Sequence, residues 1–194
     1  MKEDLLGVPE TLQNSRILLK RYQEGEGKLV YALIRDNKIR LQDHFPRTIS
    51  QITDEQKAEL YVRNKMAEWY GQKGYFFGIW EKSSQTYIGQ ISVKNIDWEI
   101  PRAEIGYYIS KEYEGRGLMT EVVKLIIKFS FEQLKVRKLF LRTTPSNARS
   151  SKLAENCGFV KEGWLRKDFL KADKTLVDII YYGITLQDFQ GMKL

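Results

Sequence analysis

The chain has 194 residues, 42% of them apolar and 12% aromatic. That is enough hydrophobic material for one well-buried domain, and it excludes the weakly hydrophobic composition of disordered chains. The formal charge of +7, from 32 Lys and Arg against 25 Asp and Glu, is spread along the sequence, so it fits an anionic partner and equally a solvated basic surface.

One cysteine, Cys157, excludes an intramolecular disulfide and a cysteine-built metal site, and a reducing compartment is the simple expectation. The start, Met1-Lys2-Glu3-Asp4-Leu5-Leu6, is too charged for a secretory leader, and nowhere do ~20 apolar residues run together. A soluble, cytoplasmic protein with no membrane span and no metal is expected. No linker, repeat or composition shift divides residues 1–194, which read as a single domain.

In chain order, residues 16–20 predict a strand and residues 26–35, carrying Leu29, Val30, Leu33 and Ile34, a helix. A loop follows. Thr53-Asp54-Glu55-Gln56 opens a second helix with an N-cap and an acidic or amide first turn, and Gly71 or Gly74 closes it. Residues 75–80 and 87–93 predict two strands joined by a polar link of hairpin length. Beyond residues 97–101, the stretch 103–110 alternates Ile105, Tyr107 and Ile109 at the strand period. A helix over 117–134 presents Leu118, Met119, Val122, Val123, Ile126, Ile127 and Leu134 on one face. A strand over 138–143, a helix over 148–156 and strands over 158–166 and 175–185 complete a mixed α/β sheet. Trp69, Tyr75, Phe76, Phe77 and Trp80 read mainly as core.

Between the 103–110 strand and the 117–134 helix stands Glu114-Gly115-Arg116-Gly117-Leu118-Met119-Thr120. Gly115 and Gly117 let the backbone approach a ligand closely, and the first orphan N–H groups of the helix point at it. A phosphate fits such a turn, although a helix entry with no ligand has the same appearance. The Lys-Ser/Thr pair of a Walker loop and the third glycine of a dinucleotide fingerprint are both missing.

Taken with residues 103–110 before it, and with Asn147-Ala148-Arg149-Ser150 and Asn156-Cys157-Gly158-Phe159 after it, the turn resembles motif A of the GNAT acyltransferases. Tyr113-Glu114-Gly115-Arg116-Gly117-Leu118-Met119-Thr120-Glu121, Asn147-x-x-Ser150, Cys157-Gly158-Phe159 and Glu162-Gly163-x-Leu165-Arg166 are similar to the branch named for RimJ and RimL. That branch includes acetyltransferases of ribosomal-protein N-termini and relatives with other acceptors. The similarity runs from residues 16–19 to residues 178–182. It implies a GNAT fold, a central mixed and mostly antiparallel sheet of about seven strands flanked by about four helices, with acyl-CoA in the cleft where two neighbouring strands splay apart. Glu114 and Met119 stand where the general family has Gln or Arg and Gly or Ala. Because a carboxylate opposes a pyrophosphate, Glu114 is expected to point to solvent.

The resemblance assigns the cofactor diphosphate to the backbone of Gly115, Arg116, Gly117, Leu118, Met119 and Thr120; the Arg116 side chain either neutralises phosphate or stands in water. The pantetheine arm falls to the backbone of Ile105, Gly106, Tyr107 and Tyr108, with Asn147, which also reads as a helix N-cap. Glu104 is the candidate base, taking the acceptor's proton through water; a free α-amine has a pKa of ~8, so a modest push is enough. Pairing with Arg102 or Arg142 is the alternative for Glu104, and Asp97 and Glu99 are substitutes for it. Where the wider family has a tyrosine to serve the leaving thiolate this chain has Ala154, which leaves Ser150, unless that serine merely completes a helical turn. His44, the one histidine, lies with Asp43 on the loop where the family builds its acceptor site, or is a plain loop histidine. Cys157 reads as buried packing.

The implied activity is acetyl-CoA-dependent N-acetylation of a primary amine by direct attack, with CoA as product and a protein N-terminus of the ribosomal kind as the branch-typical acceptor. Polyamines, amino acids and antibiotics are alternative acceptors; a chain of charge +7 suits a polycation only if a local acidic patch exists. A CoA-binding sensor without catalysis also stands, favoured by the missing tyrosine and opposed by Glu104 and Ser150. A homodimer is open. A nucleic-acid reading rests on charge alone, with no RNP-like motif or zinc spacing behind it.

Overall fold

The aromatic alternation of residues 75–93 forms the middle of an eight-stranded sheet in a computed structural model, which describes residues 7–192. Residues 1–6, read above for a leader, lie outside the described residues. The strands are β1 (Thr11–Gln13), β2 (Ile17–Arg21), β3 (Tyr75–Glu81), β4 (Thr86–Asp97), β5 (Arg102–Ile109), β6 (Lys138–Thr143), β7 (Val160–Leu170) and β8 (Leu176–Thr185). They lie in the order β1-β2-β3-β4-β5-β6-β8-β7, and every neighbouring pair is antiparallel except β5 with β6.

Six helices accompany the sheet: α1 (Gly27–Leu41), α2 (Pro46–Gln51), α3 (Glu55–Tyr70), α4 (Leu118–Glu132), α5 (Ala148–Asn156) and α6 (Leu186–Gly191). Successive strand side chains point to opposite faces. Phe77, Ile91, Ile105 and Ile109 therefore pack with the α4 stripe of Leu118, Val122 and Ile126, whereas Phe76 and Tyr108 pack with Val30, Ile34, Leu41, Ile49 and Val62 from α1, α2 and α3. Trp69, Tyr75, Phe77 and Phe129 form a chain of edge-to-face rings inside the first cluster. No helix is long and apolar enough to cross a membrane among the described residues.

Among the described residues the sheet has eight strands and the helices number six, which fits the expected mixed, mostly antiparallel sheet of about seven strands and about four helices with a few short elements added. β1 has three residues and α2 and α6 six each, too short for a periodic signal, though Pro46 at the start of α2 and the Thr185–Asp188 capping box of α6 are local marks of a helix entry. α1 runs to Leu41, past the expected end at residue 35. Asn37 hides the continuation, because it occupies a buried position and satisfies itself by donating to the Leu33 carbonyl and accepting from Lys111 N and Arg40. β7 likewise extends beyond residue 166, through a register shift between Leu165 and Phe169 where Lys167 takes a φ of +56°.

Candidate active site

β5 and β6 pair only over residues 102–104 with 138–140, and both strands run on unpaired with each other beyond that point. The parallel pair thus parts, as the expected splay requires, and opens a cleft of about 870 Å³. Its walls are residues 105–109 on one side and residues 141–144 on the other, closed by the start of α4 and the first turns of α5.

At one end is the glycine turn. Gly115 and Gly117 adopt left-handed φ values of +73° and +75°, and a Cβ built on either meets nothing within 4 Å, so the backbone is open to an approaching group. Thr120 N and Glu121 N bond to the Gly117 carbonyl, whereas among the described residues no acceptor meets the N–H groups of residues 115–119. Those amides, at the N-terminus of a 15-residue helix, fit a diphosphate. The Arg116 side chain does not line the cleft; it lies over the Tyr113 ring and within 4.0 Å of Glu81. Glu114 departs from expectation. Instead of pointing to solvent it holds Arg40 of α1 at 2.7 Å and Arg149 of α5 on its two oxygens. Arg40 also bonds Asn37 and the Ile109 carbonyl, which ties α1 to the mouth of the cleft.

Glu104 lies at the other end, where the strands begin to part. It is buried, accepts from Asn95 Nδ2 at 2.7 Å and Arg142 Nη2 at 3.2 Å, and has Lys94 Nζ at 3.6 Å. Of its two possible arginine partners Arg142 is the one found, because Arg102 pairs with Asp97 at 3.6 Å. Asp97 and Glu99 do not line the cleft. A β4 bulge places Asn95 at φ +49° and aims its amide at Glu104. His44 lines the cleft in the turn between α1 and α2, and burial lowers its pKa while Asp43 opposes the shift. Asp43 itself is bound by Lys171 at 2.9 Å.

On the opposite face of β5, Asn147 caps α5 by accepting from Ser150 N at 3.2 Å, and the Ser150 hydroxyl lies 3.0 Å from the Tyr107 phenol. Ile105, Gly106, Tyr108, Leu118 and Met119 line the cleft as well, the Ile105 side chain being packed into the core. Cys157 is fully buried and its thiol is pushed up to about 11 by burial, as expected of packing. Among the described residues no group of three or more His, Cys, Asp or Glu is placed to hold a metal. Sequence reasoning missed the site contacts of Arg40, Lys94, Asn95 and the Tyr107 phenol. Asn95 left one trace, an Asn inside a strand-like run, a residue type that tolerates positive φ.

A mixed sheet with a parted parallel pair, and a glycine turn opening a helix at the mouth of the gap, define an acetyltransferase of the GNAT type. Residues 16–160 match the acetyltransferase (GNAT) domain family, and the chain belongs to it. It is 27% identical over 184 residues to the candidate ribosomal N-acetyltransferase YdaF of Bacillus subtilis, covering 93% of this chain and 97% of that protein. The spermidine N(1)-acetyltransferase of Vibrio cholerae is 25% identical over 156 residues, 80% of this chain and 86% of that one. RimL, a ribosomal alpha-N-protein acetyltransferase solved in complex with coenzyme A, superposes with a TM-score of 0.83 at 16% identity over 93% of this chain and 98% of its own.

Proposed function

We propose that this N-acetyltransferase takes its acetyl group from acetyl-CoA and passes it to a primary amine by direct attack, with a protein N-terminus as acceptor. The observation that carries the proposal is the parted β5–β6 pair, with unpaired amides at residues 115–119 on one end and the Glu104 carboxylate on the other. The amides hold the diphosphate, and the β5 backbone at residues 105–108 and Asn147 hold the pantetheine arm. Acetyl-CoA supplies an activated thioester carbonyl. Glu104 draws the proton from the attacking amine, and Ser150 serves the sulfur. Direct attack agrees with a thiol at Cys157 that is buried and pushed up to about 11, which makes it a poor nucleophile.

A protein N-terminus is favoured by the match to YdaF along nearly the whole chain. A polyamine is disfavoured by local charge, because both carboxylates lining the cleft are already matched, Glu104 by Arg142 and Lys94, and Glu114 by Arg40 and Arg149. Calorimetric titration of acetyl-CoA and CoA, followed by thiol release against peptides with free N-termini, polyamines and aminoglycosides, tests the reading. Turnover on the peptides is expected. Turnover on polyamines alone would replace the acceptor, and binding with no turnover on any amine would leave a CoA sensor.

A further inference from the structure

Tyr107 projects from the face of β5 opposite Glu104, and its phenol meets Ser150 of α5 at 3.0 Å inside the cleft. We propose that these two hydroxyls form a relay for the leaving sulfur, in which Ser150 donates to the sulfur and Tyr107 donates to Ser150. The proposal rests on the acyl-transfer reading above.

Ser150 and Ala154 stand four residues apart and so share one face of α5. The Tyr107 phenol bonds Ser150, and Ala154, one turn further along α5, is fully buried. Position 154 of α5 carries no hydroxyl, and Tyr107 brings one to Ser150 from β5. Packing alone does not call for it, since Tyr107 packs against an apolar cluster that a phenylalanine would serve as well, and a buried hydroxyl costs stability unless it is bonded.

Either hydroxyl can donate across the Tyr107–Ser150 contact, and the relay takes Tyr107 as the donor. Ser150 Oγ has one proton, and accepting from Tyr107 leaves that proton free to face the cleft. Burial pushes the phenol up to about 12, so it remains a donor throughout the working range. In the reaction the amine nitrogen bonds the carbonyl carbon, the C–S bond breaks and its electron pair goes to sulfur. The amine's proton leaves through Glu104 and water, the relay hydrogen-bonds the thiolate, and solvent protonates that thiolate to the thiol on release. Ser150 touches the reacting atom and is catalytic; Tyr107 acts through it and is a positioning residue.

The test titrates CoA and desulfo-CoA into wild type, Tyr107→Phe and Ser150→Ala at rising pH. A donor on the thiolate makes CoA tighten relative to desulfo-CoA as pH rises, by roughly tenfold for each unit by which the thiol pKa is lowered. That gain should shrink in Tyr107→Phe and vanish in Ser150→Ala, while desulfo-CoA affinity stays level. In turnover, Tyr107→Phe should lower kcat about tenfold and Ser150→Ala about a hundredfold at unchanged KM for acetyl-CoA, and the double variant should match Ser150→Ala. A full gain retained in Tyr107→Phe, or losses that multiply in the double variant, would overturn the relay. Wild type that binds CoA with no pH-dependent gain sinks the relay alone, whereas wild type that binds neither compound sinks the acyl-transfer reading with it.

Discussion

Glu104→Gln keeps the shape of the side chain at the end of the cleft where β5 and β6 begin to part and removes its charge. The wild-type carboxylate is 7% exposed and is held by Asn95 at 2.7 Å and Arg142 at 3.2 Å. An amide keeps one acceptor oxygen but turns an NH2 group toward those donors, and a charge-assisted bond of this kind contributes about 1.5–3 kcal/mol. Arg142 and Lys94 are 37% and 35% exposed, so solvent screens much of the loss, and a stability cost of about 1–2 kcal/mol is expected. The kinetic cost is larger, because a general base contributes typically ~10²–10⁴-fold. At pH 7 kcat should fall about a hundredfold with KM for acetyl-CoA unchanged. An α-amine of pKa ~8 is about one tenth neutral at pH 7 and about nine tenths neutral at pH 9, so the deficit should narrow by up to about tenfold across that interval. Thiol release from acetyl-CoA on an N-terminal peptide, followed against pH beside urea unfolding of the same variant, measures both quantities. A deficit that stays constant with pH, or wild-type kcat at pH 7, would refute Glu104 as the base.

Gly117→Val forces a β-branched residue into a φ of +75°, at a cost of roughly 1–2 kcal/mol in the turn, and should raise the acetyl-CoA Kd at least about tenfold by calorimetry; unchanged affinity would move the diphosphate elsewhere. Burial lowers the His44 pKa, so the fold prefers the neutral ring: its contribution to stability is full above the ordinary value of about 6.5 and is lost as pH falls below it through the folded value. His44→Gln should accordingly flatten the fall of the urea midpoint on the acid side of about pH 6.5, and an unaltered slope would contradict the burial argument. Cys157, with its thiol pushed up to about 11, should resist iodoacetamide at pH 8 in the folded protein and react on unfolding, as peptide mapping would record.

What could be read in advance is what depends on neighbours along the chain. The stripe of α4, the left-handed glycines of the turn and the Asn147 cap are each specified by residues a few positions apart, and each stands where it was expected. The parting of β5 from β6 was legible only through the resemblance, since it is set by pairing between segments more than thirty residues apart. The partners of Glu104 were half legible. Arg142 was one of two candidates, but Asn95 reaches the carboxylate only because β4 bulges, and the sole mark of that bulge in the sequence is the asparagine itself. Tyr107 was assigned by its backbone, because a strand reading says which face a side chain takes and not which helix residue it meets.

Glu114 carries the same lesson into electrostatics. Judged alone, a carboxylate beside a diphosphate site is unfavourable; two like unit charges about 6 Å apart repel by about 3 kcal/mol at an effective dielectric constant of about 20. Its partners stand 74 and 35 positions away in sequence, Arg40 on α1 and Arg149 on α5. With one acid between two arginines the cluster is a net cation, so the sign of the interaction with an incoming phosphate reverses. The two arginines are not equivalent. Arg40 is 31% exposed and fixed by Asn37 and the Ile109 carbonyl, whereas Arg149 is 82% exposed, where an ion pair contributes about 0–1 kcal/mol. Glu114 therefore anchors one positive charge at the mouth of the cleft and only loosely restrains another, and the departure from the general family pattern at this position is compensated within the chain by residues that its own fold brings to it.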